Sequence, residues 1–407
     1  MKNWFRGGLP AMLAVVTLAP LAQGAGFGLY EGSARGDALG GTLVGRADDP
    51  SAIYYNPAGI VQLPGDQLMA GVTLISPKTS VITTTPQGMI KTDSERDWWY
   101  PPHVYYTHEL NDKIWLGAGL FSRFGLGTEF PENWPGRYNS YYASIQSLTF
   151  NPDVALKLGD QVAVAIGFDP TYFNIDLKRK VPNPSGGQDL NMEMKGDAVG
   201  YGYNLGVRYT PADWLTLGLS YVSRVTENVD GTATLGGVGS TDASSTMRLP
   251  QELAFGITLK PEEKWSVEVG AVYTGWQTYD ALSVDFKNPA VFGAYNSTTP
   301  KHWESVMRYQ AGVEYAATKA LTLRASYVYD EEPIPRETAD YIVPGNDRQL
   351  FGVGVGYRWS RWVLDLSYTY LMIMNRTIPG QPAEGIYPST FSGGNAQMIG
   401  LSLSTKL

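Results

Sequence analysis

The stretch Leu321-Thr-Leu-Arg-Ala-Ser-Tyr-Val-Tyr329 decides the fold of this 407-residue chain. Apolar side chains, aromatic at its end, fill every second position from Leu321 to Tyr329. Thr322, Arg324 and Ser326 stand between them. A period of two predicts a β-strand with one apolar face and one polar face. The same alternation recurs along the chain as far as the C-terminus.

Segments of this kind, joined alternately by a long loop and a tight turn, run from residue 67 to the end. They predict fourteen strands at 67–75, 99–109, 114–122, 145–158, 162–174, 198–210, 215–223, 249–260, 265–274, 306–316, 321–329, 349–359, 362–372 and 396–407. An even number of strands with short periplasmic turns and longer outer loops is typical of bacterial outer-membrane barrels. A soluble sandwich has no reason to alternate its connections in this way. We therefore predict an all-β fold, a 14-stranded antiparallel transmembrane β-barrel over 67–407, in the bacterial outer membrane.

The two faces of the strands can be assigned from the same pattern. We expect lipid to meet one set of residues of the strand 349–359, namely Phe351, Val353, Val355, Tyr357 and Trp359. Charged residues at the alternate positions should face the lumen and form salt bridges across it or to a plug, and binding of a ligand carboxylate is the other role open to them. These residues are Arg208, Glu268, Arg324 and Asp365.

The composition excludes several classes of function. Charged residues make up 17% of the chain, below the roughly 25% of soluble domains. The absence of cysteine removes disulfides, thiolate nucleophiles and cysteine-based metal sites. The net charge of −8 argues against a nucleic-acid partner, because nucleic acids select basic surfaces.

The N-terminus predicts an export signal followed by a separate small unit. Lys2 and Arg6 precede an apolar stretch at 9–21, and Ala22-Gln23-Gly24 resembles a cleavage site, so 1–24 is predicted to be a signal peptide. Residues 25–66 are rich in glycine and lack the strand alternation. They are expected to hang free in the periplasm or to fold into the lumen as a hatch (plug), with a short helix within 34–43.

Several motifs, in order, resemble one known family. They are Ala25-Gly26-Phe27, Asn56-Pro57-Ala58, Ser122-Arg-Phe-Gly-Leu-Gly-Thr-Glu-Phe130, Leu219-Ser-Tyr-Val-Ser-Arg-Val225, and Asp330-Glu-Glu-Pro-Ile-Pro335. Together they resemble the FadL-type long-chain fatty acid transporters (OMPP1/FadL/TodX), across essentially the whole mature chain.

The resemblance implies a mechanism and its residues. A hatch containing Ala25, Gly26, Phe27, Asn56, Pro57 and Ala58 would close the barrel. A hydrophobic ligand would leave sideways into the bilayer through an inward kink of the third strand at Ser122, Arg123, Phe124 and Gly125. A simple change from strand to loop is the other interpretation of Gly125. Residues 175–197 and 224–248 suggest short polar coil where the fatty acid transporters have long helical loops, so the substrate is either a fatty acid or an aromatic hydrocarbon.

Catalytic and metal-binding patterns are not found in the sequence. His103 and His108 lie at an odd separation on one predicted strand and should face opposite sides, and no Gly-x-Ser-x-Gly motif occurs. We expect a passive outer-membrane importer of hydrophobic compounds, neither enzyme nor metal- or cofactor-dependent. It should be a monomer in contact with lipid and lipopolysaccharide. The alternatives are a general porin or adhesin, and a barrel lipase or protease.

Overall fold

The computed structural model describes residues 26–95 and 98–407. The predicted signal peptide and Ala25 lie outside these residues. The longest α-helix of the described chain has only 5 residues, and none of the helices there has the length and apolarity needed to cross a membrane.

Antiparallel strands form most of the structure. They are β1 (Asp66–Thr85), β2 (Gly88–Asp93), β3 (Pro102–Asn111), β4 (Ile114–Phe121), β5 (Gly125–Glu129), β6 (Tyr142–Leu158), β7 (Val162–Val181), β8 (Leu190–Ala212), β9 (Leu215–Val222), β10 (Val225–Leu235), β11 (Gly239–Leu249), β12 (Glu252–Glu262), β13 (Trp265–Thr274), β14 (Ala281–Phe286), β15 (Asn296–Pro300), β16 (Val306–Ala316), β17 (Leu321–Asp330), β18 (Arg348–Trp359), β19 (Trp362–Ile373), β20 (Arg376–Ile378) and β21 (Ser389–Lys406). The α-helices are α1 (Ala34–Ala38), α2 (Ala52–Tyr55) and α3 (Pro289–Phe292), and 3-10 helices cover Pro57–Gln62, Pro135–Tyr138, Trp276–Thr278 and Pro382–Glu384.

The sheet closes on itself. The first strand, β1, pairs with β3 on one side and with the last strand, β21, on the other, from Gln67↔Lys406 to Thr83↔Ser389. Fourteen strands cross the barrel, as predicted, and the remaining strands extend the loops at one end. Closure leaves no open sheet edge, which lipid would not tolerate.

The loops after the fifth and seventh spanning strands differ from the sequence prediction. Residues 175–197 and 224–248 are not polar coil, because β7 and β8 remain paired as far as Val181↔Leu190 and β10 and β11 form a hairpin. β10 also pairs with β8. The hairpin is stable despite its polar composition because it buries a small apolar cluster, consisting of Met192, Ala233, Leu235 and Phe286.

The outer and inner faces of the strands follow the predicted alternation. Phe351 and Tyr357 point outward, with 47% and 51% of their surface exposed. Gly352 and Gly354 point inward, and a Cβ atom at Gly354 would lie 2.4 Å from the Cβ of Ala38. Glycine is therefore required there because α1 rests directly on the inner wall.

The N-terminal segment, residues 26–65, lies inside the barrel. The predicted helix over 34–43 ends already at Ala38, because Gly40 and Gly41 adopt positive φ angles of 62° and 83°. Most of the segment is buried. Its position in the lumen agrees with the predicted fold of a barrel that contains a small N-terminal unit.

Buried charges attach this segment to the wall. Arg35 forms ion pairs with Asp48 at 2.7 Å and with Asp49 at 2.9 Å inside the segment, and with Glu314 of β16 at 3.0 Å. Glu314 also pairs with Arg324 at 2.6 Å. The expected role of luminal charges as salt-bridge partners is confirmed for Arg324, and the network leaves these buried groups paired.

Candidate functional site

The third spanning strand is interrupted. Its first part, β4, pairs with β3 as far as His103↔Phe121, and its second part, β5, begins at Gly125 and pairs with β6. The ladder between β3 and the third strand therefore stops at Phe121. We call residues 122–124 the strand interruption.

The first residues of the N-terminal segment bond to backbone groups that the strand interruption leaves without a partner strand. The Leu29 N–H donates to the Arg123 carbonyl at 2.8 Å, and the Gly125 N–H donates to the Phe27 carbonyl at 3.0 Å. Gly28 and Phe124 form the β-bridge between these two bonds. Because lipid offers no partners to a broken strand, the N-terminal segment supplies them from inside.

A serine of the next strand completes this arrangement. The Phe124 N–H donates to Ser147 Oγ at 2.9 Å, and the Ser147 hydroxyl donates to the Phe124 carbonyl at 2.8 Å. Both backbone groups of Phe124 are thus satisfied by a side chain rather than by the adjacent strand. The interruption is a built feature and not a frayed end.

An aromatic cage surrounds Phe27. Its ring lies 4.7 Å from Trp276, 5.6 Å from Trp303, 6.1 Å from Tyr279 and 6.1 Å from Phe124, measured between centroids. Such edge-to-face and tilted pairs add to the apolar burial. Phe27 therefore connects the interruption to the outer loop between β13 and β16.

Arg123 is buried beside the interruption. Its guanidinium carbon lies 4.4 Å from the Tyr54 ring centroid and 4.9 Å from that of Phe121. It donates to the Tyr54 carbonyl at 3.3 Å. The charge is thus held by ring faces and a carbonyl of α2, which attaches the interruption to the N-terminal segment.

A cavity of about 720 Å³ adjoins the interruption, within the usual range for ligand pockets of roughly 300–1,000 Å³. Its inner part is mainly apolar, with Leu350, Leu371 and Met398. Its other side includes residues of the outer surface, among them Leu148 and Tyr172, the latter 45% exposed. The cavity therefore borders both the lumen and the outer surface beside the interruption, where residues 27–29 stand between them.

Charged side chains stand at the inner end of this cavity. Arg308, Glu332 and Arg348 all contribute to its lining. Asp330 accepts from Arg348 at 2.8 Å and lies 3.4 Å from Arg308. Glu332 follows β17 in an outer loop and is buried. Burial raises the pKa of its carboxyl group to about 8, although the positive charges of Arg376 and Arg348 act in the opposite direction. The cavity thus combines an apolar body with one ionic end.

The Asn56-Pro57-Ala58 motif sits against the wall. The Asn56 side chain accepts the Ala58 N–H at 3.2 Å and donates to the carbonyls of Val44 at 2.8 Å and Val207 at 3.0 Å. Pro57 starts the 3-10 helix, where its missing N–H is not needed. The motif therefore fixes a turn of the N-terminal segment to β8.

The structure brings together residues that the sequence left apart. Gly26 and Phe27 meet Ser122, Phe124 and Gly125 at one cavity. Sequence reasoning missed the contributions of Trp276, Tyr279, Trp303 and Glu332 from the outer loops and of Arg348 at the start of β18. Trp276 and Trp303, two tryptophans in one long loop, were the signal that could have identified part of this set.

His103 and His108 lie on opposite faces of β3, as the sequence predicted. His103 is buried and lies 2.8 Å from Ser402 Oγ, whereas His108 lies on the other face of β3, 2.7 Å from Asp66. Within residues 26–95 and 98–407, no group of three or more His, Cys, Asp or Glu side chains is positioned to bind a metal ion.

A closed β-barrel with an apolar outer face defines the class of outer-membrane barrel proteins. The chain belongs to the family described as outer membrane protein transport protein (OMPP1/FadL/TodX), whose model matches residues 15–406. It is an outer-membrane transporter of this type, as the resemblance implied.

Curated relatives share low identity over nearly full length. The chain is 24% identical to the long-chain fatty acid transport protein of Escherichia coli O6:H1, with 96% of each chain covered. It is 25% identical to the 47 kDa outer membrane protein of Pasteurella multocida, with 97% of each covered.

Solved structures show the same fold. A Pseudomonas aeruginosa FadL homologue superposes with a TM-score of 0.83 at 17% identity, covering 94% of this chain and 99% of that one. The Pseudomonas putida toluene transporter TodX gives a TM-score of 0.70 at 19% identity, covering 95% and 98%.

Proposed function

We propose that this protein takes up hydrophobic compounds, fatty acids or aromatic hydrocarbons, across the outer membrane without an energy source of its own. The ligand passes through the wall cavity and leaves sideways into the bilayer. The observation that carries the proposal is that residues of the inner wall, Leu371 and Met398, and a residue of the outer surface, Tyr172, line the same cavity beside the interruption. An apolar solute that leaves sideways avoids the aqueous periplasm.

In this proposal the N-terminal segment is a hatch. It fills the lumen, and its residues 27–29 occupy the strand interruption. Displacement of these residues would open the lateral exit, at the cost of the two hydrogen bonds joining Leu29 to Arg123 and Gly125 to Phe27. Each bond contributes a net of about 1 kcal/mol, and the burial of the Phe27 ring in its aromatic cage adds roughly 1.5–3 kcal/mol, a total that the binding of an apolar ligand can offset.

The proposal also covers partners and catalysis. The exposed apolar strand faces meet lipid, and the outer loops meet lipopolysaccharide. The barrel closes within one chain and the cavity lies within that chain, which supports a monomer. The relatives are named as transport and outer-membrane proteins. Their names support the proposal that this protein has no catalytic activity.

An engineered disulfide tests the proposal. Gly28 and Phe124 form a bridge flanked by the two hydrogen bonds, so their Cα atoms should lie about 4.5 Å apart, within disulfide range. The chain has no cysteine of its own, so a Gly28→Cys/Phe124→Cys pair forms a unique cross-link. Uptake of a labelled fatty acid and of toluene is measured in cells that depend on this protein for entry.

The expected result is reversible inhibition. Oxidation should reduce uptake to the level of cells without the protein, and a reductant should restore it, whereas each single-cysteine variant should ignore both treatments. Uptake that continues in the cross-linked protein would refute the lateral exit. If wild-type protein accelerates the entry of neither compound, the transport function itself is wrong.

A further inference from the structure

Four polar side chains converge inside the barrel at a place that the cavity does not reach. They are Asn151 and Asp153 of β6, Asp169 of β7 and Asn204 of β8, and none is more than 3% exposed. The strand register explains the convergence, since Asp153 pairs with Gly167 and Gly167 pairs with Asn204. Three neighbouring strands thus present these groups toward one point.

That point lies above Gly167. A Cβ atom placed there would lie 1.9 Å from Asp153 Oδ1, 2.6 Å from Asn204 Nδ2 and 2.7 Å from Asn151 Nδ2. Any other residue would collide with these groups. Glycine is therefore required here, because the Asp153 carboxylate and the two asparagine amides occupy the place that a side chain would take.

Most of the oxygen atoms in this cluster have no hydrogen-bond partner. Asp169 Oδ1 accepts from Asn151 at 2.5 Å and from Asn204 at 3.0 Å. Five oxygen atoms are buried without a hydrogen bond, and they are both oxygens of Asp153, Oδ2 of Asp169 and Oδ1 of each asparagine. The amide groups of Asn151 and Asn204 nevertheless lie near enough to Asp153 to stabilise its negative charge. Burying carboxylates without partners is costly, and a bound cation would remove that cost.

The protein supplies that charge only from a distance. Arg123 attracts both Asp153 and Asp169, but its guanidinium lies on the Tyr54 ring and bonds the Tyr54 carbonyl. Among the ion pairs found in the described ranges, neither aspartate takes part. Arg123 therefore does not neutralise the cluster by direct contact.

We propose that Asn151, Asp153, Asp169 and Asn204 form a Ca²⁺ site in the inner wall of the barrel. The four side chains offer six oxygens with two formal charges and no sulfur or imidazole, which suits a hard cation. The amide N and O atoms are nearly interchangeable in position, so turning each asparagine amide brings its oxygen, in place of its nitrogen, next to the Asp153 carboxylate above Gly167. Ca²⁺ fits better than Mg²⁺, which demands octahedral geometry and retains several waters.

The position of the site suggests what a bound ion does. A Cβ atom at Gly117 would lie 3.1 Å from Ile53 Cδ1 of α2 and 3.3 Å from Asp153 Cβ. The cluster is thus covered by the N-terminal segment. Ca²⁺ neutralises two carboxylates under this segment and stabilises its contact with the wall.

Calcium binding and thermal unfolding test the proposal. The full chain is refolded in detergent without lipopolysaccharide, because lipopolysaccharide itself binds Ca²⁺. We expect one Ca²⁺ per chain with a dissociation constant of about 10⁻³ M or tighter, and a higher unfolding temperature with Ca²⁺ than with a chelator. Asp153→Asn and Asp169→Asn should each weaken binding by about tenfold or more. Asp160→Asn, at an exposed periplasmic turn, should bind as the wild type does.

Three outcomes would overturn the site. The first is that the wild type binds no Ca²⁺ at a Ca²⁺ concentration of about 10 mM, well above the expected dissociation constant. The second is unchanged binding in the two variants. The third, which needs no variant to fold, is an equal rise of the wild-type unfolding temperature with Mg²⁺ and with Ca²⁺.

Discussion

The carboxylate of Glu268, on the inner face of β13, accepts the backbone N–H of Val44 at 2.8 Å. The same carboxylate accepts the N–H groups of Gly45 at 3.2 Å and Arg46 at 2.8 Å, and the Thr258 hydroxyl at 2.5 Å. One wall residue thus binds three consecutive backbone donors of the N-terminal segment. Such a set of consecutive N–H groups forms a local anion-binding site. The anion bound here is the Glu268 carboxylate of the barrel wall.

Replacing Glu268 should loosen the N-terminal segment. Glu268→Ala leaves three buried donors without an acceptor, at roughly 1–3 kcal/mol each, whereas Glu268→Gln keeps one acceptor oxygen and should have a smaller effect. We expect ion conductance in a planar bilayer to increase in the order wild type, Gln, Ala. Glu262→Ala, at an exposed turn beside β13, is the matched control. Equal conductance of all four proteins would show that Glu268 does not hold the segment.

Removing the segment should open the barrel to ions. Deletion of residues 27–60, with the export signal retained, takes away α1, α2 and most of the 3-10 helix at Pro57–Gln62. A barrel of this size is wide enough for an aqueous channel when its lumen is empty. Planar-bilayer recordings should show large, steady conductance for the deletion and little for the wild type. Free conductance of the wild type would instead favour a general porin.

The barrel could be predicted from the sequence because its signal is local. A strand such as β18 shows its two faces in consecutive residues, and the predicted range 349–359 differs from the observed one by a single residue. The hairpin of β10 and β11 was missed because its outward face is polar and the apolar alternation of its inward face is broken by Glu227 and Gly231. Their pairing is stabilised by contacts with β8 and with Phe286, far away in sequence.

The candidate site could be predicted only in part. The resemblance located residues 122–125, and the structure interrupts the third strand there, but the role of these residues stays a prediction. Their bonding to residues 27–29 uses backbone atoms, and backbone partners leave no trace in side-chain identity. Trp276 and Trp303 reach Phe27 from a loop about 250 positions later along the chain, which only the folded barrel can reveal.

Changes at the strand interruption should impair uptake while the barrel still folds. Gly125→Pro removes the N–H that donates to Phe27, and a bulky residue at Ser122 fills the cavity wall. We expect the rate of entry of a labelled fatty acid or toluene to approach that of cells without the protein. Heat-modifiable migration in gels monitors folding.

A glycine outside the site serves as the control for these changes. Gly236, in the turn of the β10–β11 hairpin, has ordinary φ, and a Cβ there meets nothing closer than 3.4 Å. Gly236→Ala should therefore leave uptake unchanged. If Gly125→Pro and the Ser122 variants transport as well as Gly236→Ala does, the interruption is a simple strand-to-loop transition.

The buried carboxyl of Glu332 should make the outer loop 331–347 sensitive to pH. Burial raises its pKa from 4.5 to about 8, against the opposing charges of Arg376 and Arg348. Arg376 is 4.0 Å away, and Oε1 has no hydrogen-bond partner. Because the folded-state pKa exceeds the unfolded one, ionisation is easier in the unfolded loop. Loop stability should thus fall as the pH rises from 4.5 to about 8, and stay level above that.

Trypsin cleavage after the exposed Arg336 measures this effect. At pH 8.5, Glu332→Gln should be cleaved more slowly than the wild type. This difference in cleavage rate should shrink as the pH is lowered toward 6, because the wild-type carboxyl then regains its proton. Comparing proteins at each pH cancels the pH dependence of trypsin. Glu304→Gln, exposed in the neighbouring loop, should follow the wild type throughout. A ratio of cleavage rates that stays constant with pH would mean that Glu332 does not control the loop.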